Sequence, residues 1–138
     1  RFSLGALLND IGKTQLSDEI SAAEHQLSDE EYHSYKKHTS IGYDIIRQSE
    51  SFNDAIAIGA LEHHERLDGS GYPMGITNVS LEGQIFGIIN SFEYLSLREK
   101  SYRKAKKPFD AMFFIKNEVL NEGKFSRKIF VEFCKSLG

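Results

Sequence analysis

The chain has 138 residues, with 17 basic against 20 acidic side chains for a formal charge of −3, no Trp, two Pro and one Cys. A content of 40% apolar and 27% charged residues is that of one globular domain, residues 1–138, and excludes a disordered, collagenous or low-complexity chain. The lone Cys134 excludes an intramolecular disulfide framework and suits a reducing, cytoplasmic compartment. No apolar run reaches the ~20 residues of a membrane span, so no membrane contact is expected from this domain, and the mildly acidic charge gives no general attraction to DNA.

Helical spacing dominates, and no run of alternating β-branched residues stands out, so the expected fold is all-α. Phe2, Leu4, Ala6, Leu7 and Leu8 read as a buried helix end broken at Gly12, followed by a short helical turn from Ser17 to Ala23. Ser28-Asp29-Glu30-Glu31 is a capping box and predicts one helix from Asp29 to Arg47, with Gly42 permitting close approach by another helix. Ser51 and Asp54 signal the next start, and an apolar helix runs from Ile56 into His63-His64-Glu65.

Arg66 to Ser80 holds Gly69, Gly71, Pro73, Gly75 and Asn78, a density of turn formers that predicts an ordered loop. Leu81 to Arg98 is apolar over so wide an arc that it is expected at the centre of the bundle. Lys100 to Lys107 reads as a basic, solvated connector, with a rim that attracts phosphates as its functional alternative. Pro108 opens a helix that Gly123 closes, and a last helix starts near Ser126. Met112 and the Phe-rich faces of these two helices are expected in the core, with Cys134 among them.

Asp10, His38, His63 and His64 stand at helix ends or on helices with an apolar face. Imidazole nitrogen and carboxylate oxygen together suit Fe, Mn or Zn, and the fold has to assemble them from distant positions. Taken singly, each is also explained as a hydrogen-bonded core or surface residue. Neighbours on a regular helix point about 100° apart, so His63 and His64 either serve two ions, converge on one at a frayed helix end, or divide into one buried and one exposed ring. His25 and His33 sit in polar surroundings and read as solvated surface.

Gly5-Ala-Leu-Leu-Asn-Asp-Ile-Gly-Lys13, Lys37-His38-Thr-Ser-Ile-Gly42, His63-His-Glu-Arg-Leu-Asp-Gly-Ser-Gly-Tyr-Pro73 and Tyr102-Arg-Lys-Ala105 follow one another along nearly the whole chain. In that order they resemble the motifs of the HD-GYP family, metal-dependent phosphohydrolases of the HD superfamily that hydrolyse the bacterial second messenger cyclic di-GMP. The resemblance implies a helical bundle of about five to seven helices, whose first helix, with a further metal ligand, precedes Arg1. It implies Asp10 as a metal-bridging ligand, with His38, His63 and His64 as further ligands and Fe or Mn as the divalent metal. Lys13 then lies near the scissile phosphate, Tyr72 beside the nucleotide, and Arg103 against a phosphate.

Two positions depart from that pattern. Asn9 stands where the family has His, and Asn90 where it has Asp. A neutral amide oxygen is a poorer donor than imidazole or carboxylate, and each ion of a two-metal site is worth several kcal/mol in the transition state, about a thousandfold in rate. Glu93 stands where the family often has Asp, but does not replace Asn90. The expectation is therefore a degenerate HD-GYP domain that binds cyclic di-GMP or a related nucleotide with little or no hydrolysis and reduced metal occupancy. Its expected partners are a GGDEF-domain protein and an upstream sensory or receiver domain. An active cyclic di-GMP phosphodiesterase, or an HD phosphohydrolase acting on another nucleotide, is the alternative.

Overall fold

Four helix starts are fixed by side chains that take up otherwise unbonded amides. Ser28 Oγ accepts from the Glu31 N–H at 3.3 Å while the Glu31 carboxylate accepts from the Ser28 N–H at 2.8 Å. Asn53 Oδ1, Ser80 Oγ and Ser126 Oγ accept in the same way from Ile56, Gly83 and Ile129. Each such cap contributes about 1 kcal/mol.

The structure, a computed structural model, describes residues 2–97 and 99–138. Its helices are α1 (Phe2–Leu8), α2 (Asp18–Ser21), α3 (Asp29–Lys36), α4 (His38–Arg47), α5 (Asp54–Glu62), α6 (Leu81–Ser96), α7 (Pro108–Leu120) and α8 (Arg127–Ser136), with a 3-10 turn at Ile11–Gln15 between α1 and α2. Among the described residues there is no strand, only an isolated bridge between Lys100 and Arg103, so the fold is all-α. No helix among them is long and apolar enough to cross a membrane.

The eight segments exceed the number expected because α2 is a single turn and because the helix expected from Asp29 to Arg47 is two. At the break the Lys37 N–H bonds to the Ser34 carbonyl at 3.2 Å, a tightened three-residue spacing that ends α3. The start of α5 is also corrected: its cap is Asn53, not Ser51 or Asp54. The helix expected to reach Arg98 ends at Ser96; Arg98 itself, and the side chains of Phe2 and Leu4, lie outside the described residues.

α6 occupies the centre. Phe86 and Ile88 on it are fully buried, and the Phe86 ring lies so close to Gly5 of α1 and Gly59 of α5 that a methyl group on either would collide with it. On one side Ile46, Ile56, Ala57 and Ala60 form a core joined by Leu8 and Ile11. On the other, Ile88 and Leu95 pack with Ala111, Ile115, Val119, Phe125 and Phe130, with Phe133 and Cys134 at the margin.

The expectation that the Phe-rich faces of the last helices are core is corrected for α7. Ala111, Ile115 and Val119 form its buried stripe; Phe109 and Phe113, two residues before Ala111 and Ile115 and hence about 200° around the helix, are 77% and 64% exposed. Phe114 is exposed as well.

One contact positions the site. An added Cβ at Gly12 would run into the His38 carbonyl and the Gly42 amide, so glycine lets the segment carrying Asp10 and Lys13 lie directly on α4.

Candidate metal centre and cleft

Asp10 precedes the 3-10 turn, His38 opens α4, and His63 and His64 follow the last residue of α5. These four residues each offer a ligand atom, all within 4.8 Å of one another. The adjacent histidines sit at a helix end: α5 stops at Glu62, and the two ring centroids lie 4.1 Å apart with planes at 48°.

The orientation of two rings is settled by the backbone. His38 Nδ1 lies 2.7 Å from the Tyr35 carbonyl and His63 Nδ1 lies 2.7 Å from the Ala60 carbonyl. A carbonyl only accepts, so each Nδ1 carries a proton, and the neutral tautomer this selects is the one that turns a bare Nε2 inward. Those Nε2 atoms are 3.4 Å apart, and Asp10 Oδ1 is 3.4 Å from one and 3.5 Å from the other. Three lone-pair atoms this close repel one another unless positive charge lies between them. Ligands about 2.1 Å from a cation are about 3.0 Å apart at octahedral and about 3.4 Å apart at tetrahedral angles, so the three atoms are spaced to surround one, and pinning of the remote ring nitrogen by a carbonyl is the usual support of a metal-bound histidine. The residues present therefore fit a divalent cation.

The electrostatics agree. Burial opposes ionisation of Asp10, but the charge of Lys13, 2.7 Å away, favours it, and the carboxyl is held far below the usual carboxylate range. Burial lowers the His63 pKa against the pull of Asp10, and lowers that of His64 further, helped by the neighbouring His63 and His38. Both rings stay neutral, as ligands must. Lys13 Nζ donates to Asp10 Oδ2 at 2.7 Å and lies over the Tyr35 ring.

Asn9 and Asn90 are both buried, at 3% and 6% exposure. Asn9 Nδ2, Asn90 Oδ1 and His64 Nε2 have no hydrogen-bond partner among the described residues. Buried polar atoms left open cost about 1–3 kcal/mol each, and here all three belong to positions that the motifs single out. Asn90 faces the same cleft as His64.

That cleft has a volume of about 950 Å³ and runs from His64 and Tyr72 past α6 to α7. Tyr72 stacks on His64, with ring centroids 4.5 Å apart and planes 14° from parallel, and its N–H donates to the His64 carbonyl at 3.2 Å. Burial, with Tyr35 and Tyr32 adding to it, raises the Tyr72 pKa far above the ordinary phenol value, so its hydroxyl stays protonated. Arg103 also lines the cleft; its guanidinium donates to the Tyr94 carbonyl at 2.7 Å and lies over the Tyr94 ring. Lys104, Lys106 and Lys107 are exposed, as a solvated connector is. His25, on the rim of the cleft, is exposed and beside Glu31, and His33 is exposed.

Three residues that hold the loop from Arg66 to Ser80 were not legible as functional. Glu65, buried beside the two histidines, accepts from the backbone N–H groups of Met74, Gly75 and Ile76 at 2.6, 3.2 and 3.1 Å. Glu62 accepts from the Ser80 N–H at 2.7 Å. Arg66 donates to the carbonyls of His63 and Glu65 and covers the Phe125 ring. The available signal was the loop itself: a glycine-rich turn without strands needs acceptors for its amides, and two acidic residues immediately precede it. Gly71 passes so close to the Glu65, Arg66 and His64 backbone that no side chain fits there.

The pattern of the HD domain family matches residues 1–125. The chain is 35% identical over 105 residues to the cyclic di-GMP phosphodiesterase response regulator RpfG of Xanthomonas campestris pv. campestris, covering 74% of this chain and 28% of that protein. It is 37% identical over 113 residues to a cyclic di-GMP phosphodiesterase of Thermotoga maritima, covering 78% and 30%. It is 35% identical over 118 residues to the 3'3'-cGAMP-specific phosphodiesterase 3 of Vibrio cholerae, covering 84% and 25%. The chain thus spans less than a third of the length of each of these relatives. Helical fold, the cluster of His and Asp side chains and the loop motif agree with that match along one continuous stretch, and the chain belongs to the HD domain family, in its HD-GYP branch.

Proposed function

We propose that this chain is an HD-GYP domain of bacterial cyclic dinucleotide signalling that holds a divalent cation, Fe or Mn, through Asp10, His38, His63 and His64, and binds its nucleotide with little or no hydrolysis. The observation that carries this reading is the contrast within one site: three acceptor atoms within 3.5 Å of one another that fit a cation, beside two buried neutral amides with open polar atoms at Asn9 and Asn90. A cation supplies charge neutralisation and Lewis acidity at a phosphodiester. A second one has only the amides of Asn9 and Asn90 where the family offers imidazole and carboxylate, and full activity depends on both.

The remaining residues are equipped to bind. Tyr72 offers a ring for a base and a phenol for a hydrogen bond, Lys13 a point charge for one phosphate, and Arg103 a planar fork for another. The loop held by Glu62 and Glu65 presents Met74 outward, 53% exposed, and supports the further reading of a GGDEF-domain protein as partner. A cytoplasmic location and an upstream sensory or receiver domain belong to the same proposal.

The test combines three measurements on purified protein: metal content, calorimetry with cyclic di-GMP, and turnover of cyclic di-GMP in the presence of Mn²⁺ or Fe²⁺. Nucleotide binding with close to one metal equivalent and negligible turnover is the expected outcome. Clear hydrolysis that disappears in His63→Ala would establish the active phosphodiesterase instead, a reading favoured by the intact four-ligand cluster and by the relatives' activities.

A further inference from the structure

Five of the six tyrosines in the chain line the cleft. Tyr32, Tyr94 and Tyr102 each leave more than two fifths of their surface open, at 44%, 42% and 47%. Ring faces on more than one wall take up purine bases by stacking, which is tolerant of base identity because every base has a π-face. Discrimination needs polar groups within the same cleft.

Glu118 and Lys124 supply them. Both line the cleft on its α7 side, with Lys124 Nζ 3.4 Å from Glu118 Oε1 and side-chain exposures of 26% and 15%. The pair is braced: the Lys124 N–H donates to the Glu118 carbonyl at 3.1 Å, and Glu122 holds the ammonium from the other side at 2.6 Å. Glu118 Oε2 accepts no hydrogen bond from the described residues. Neither residue belongs to the metal cluster or to the loop motif, and the function proposed above uses neither.

An ammonium beside a carboxylate is the complement of one particular base edge. Guanine presents the O6 acceptor next to the N1–H and N2–H donors, so Lys124 donates to O6 while Glu118 accepts from N1–H and N2–H. Adenine presents an amino group where guanine has O6 and a lone pair where guanine has N1–H. Against it, the ammonium meets a donor and the carboxylate meets an acceptor. A site built to hydrogen-bond one edge rejects the other because its own polar groups are left unpaired.

We propose that Glu118 and Lys124 read guanine at the α7 side of the cleft and so select a guanine-containing cyclic dinucleotide. The inference rests on the nucleotide-binding reading above. Its test is calorimetry of the Mn²⁺-loaded chain with cyclic di-GMP and with cyclic di-AMP, for the unaltered protein and for Glu118→Gln. The unaltered protein is expected to prefer cyclic di-GMP by about tenfold or more; Glu118→Gln loses that preference through weaker cyclic di-GMP binding while cyclic di-AMP binds at least as well as before, because the amide no longer sets a carboxylate against the adenine lone pair, which also shows that the variant is folded. Equal affinities in the unaltered protein, a preference that survives in Glu118→Gln, or an equal loss for both nucleotides would each overturn guanine reading and leave nucleotide binding standing. Binding of neither nucleotide to the unaltered protein would overturn the nucleotide-binding reading itself.

Discussion

The Nε2 atoms of His38 and His63 face each other at 3.4 Å, and each ring is fixed from behind by the carbonyl three residues before it, Tyr35 for one and Ala60 for the other. The site is thus preorganised by main-chain atoms of two helices, and its two rings need no reorientation to take a cation.

Metal should therefore stabilise the chain directly. A cation that binds the folded state alone and is present at about a hundred times its dissociation constant adds about 2.7 kcal/mol, which for a domain of this size is roughly 5 to 10 °C in melting temperature. Chelator-treated protein titrated with Mn²⁺ should show that rise, and His38→Ala and His63→Ala should abolish it. An unchanged melting temperature across the titration would contradict the site.

On the function proposed above, replacing the two buried amides should raise turnover. The double variant Asn9→His, Asn90→Asp is expected to bind more metal per chain and to turn over cyclic di-GMP about a hundredfold faster or more than the unaltered protein, given the several kcal/mol that a second ion contributes. Elemental analysis paired with product chromatography measures both. A gain in metal without a gain in rate would contradict the role assigned to the two amides.

Glu65 should matter far more than an ordinary acidic residue beside a loop. It is buried and accepts from three amides, so Glu65→Ala is expected to cost about 2–3 kcal/mol in urea unfolding, with charged-group hydrogen bonds as the guide. Limited proteolysis should then cut between Arg66 and Ser80. Glu65→Gln, which keeps one oxygen, should fall between the two.

The metal-free protein should lose stability in mild acid. Burial holds the pKa values of His63 and His64 below their ordinary 6.5 in the folded chain, so below that pH the unfolded chain binds more protons and folding is penalised. The contribution is complete above pH 6.5 and declines as the pH falls toward the folded-state values. Melting curves of chelator-treated protein between pH 7.5 and 5.5 should show the decline, and His64→Ala should flatten it; a profile identical in both proteins would rule out this source.

What could be read from the sequence was mostly local. The Ser28–Glu31 box, Pro108 and Ser126 mark their helix ends because capping depends on residues within one turn. Asp10, His38, His63 and His64 could be named from motif and chemistry, but not their distances or the carbonyls behind the rings, because those follow from packing the 3-10 turn, α4 and α5 together. The break at Lys37 was hidden for a related reason: nothing in the side chains around it disfavours a helix. On α7 two apolar stripes compete, Ala111/Ile115/Val119 against Phe109/Phe113, and hydrophobicity alone favours the larger residues that the structure leaves outside. Glu65 was missed because its role is to satisfy a backbone whose path was not yet known.

Tyr72 is joined to His64 twice, ring on ring and N–H to carbonyl, so in the proposed function the surface offered to a base and the side chain offered to a cation are directly coupled. Whatever free energy a bound cation passes to the nucleotide through this pair, the nucleotide must pass back to the cation in equal amount. On the function proposed above, cation and nucleotide are thereby each other's effector.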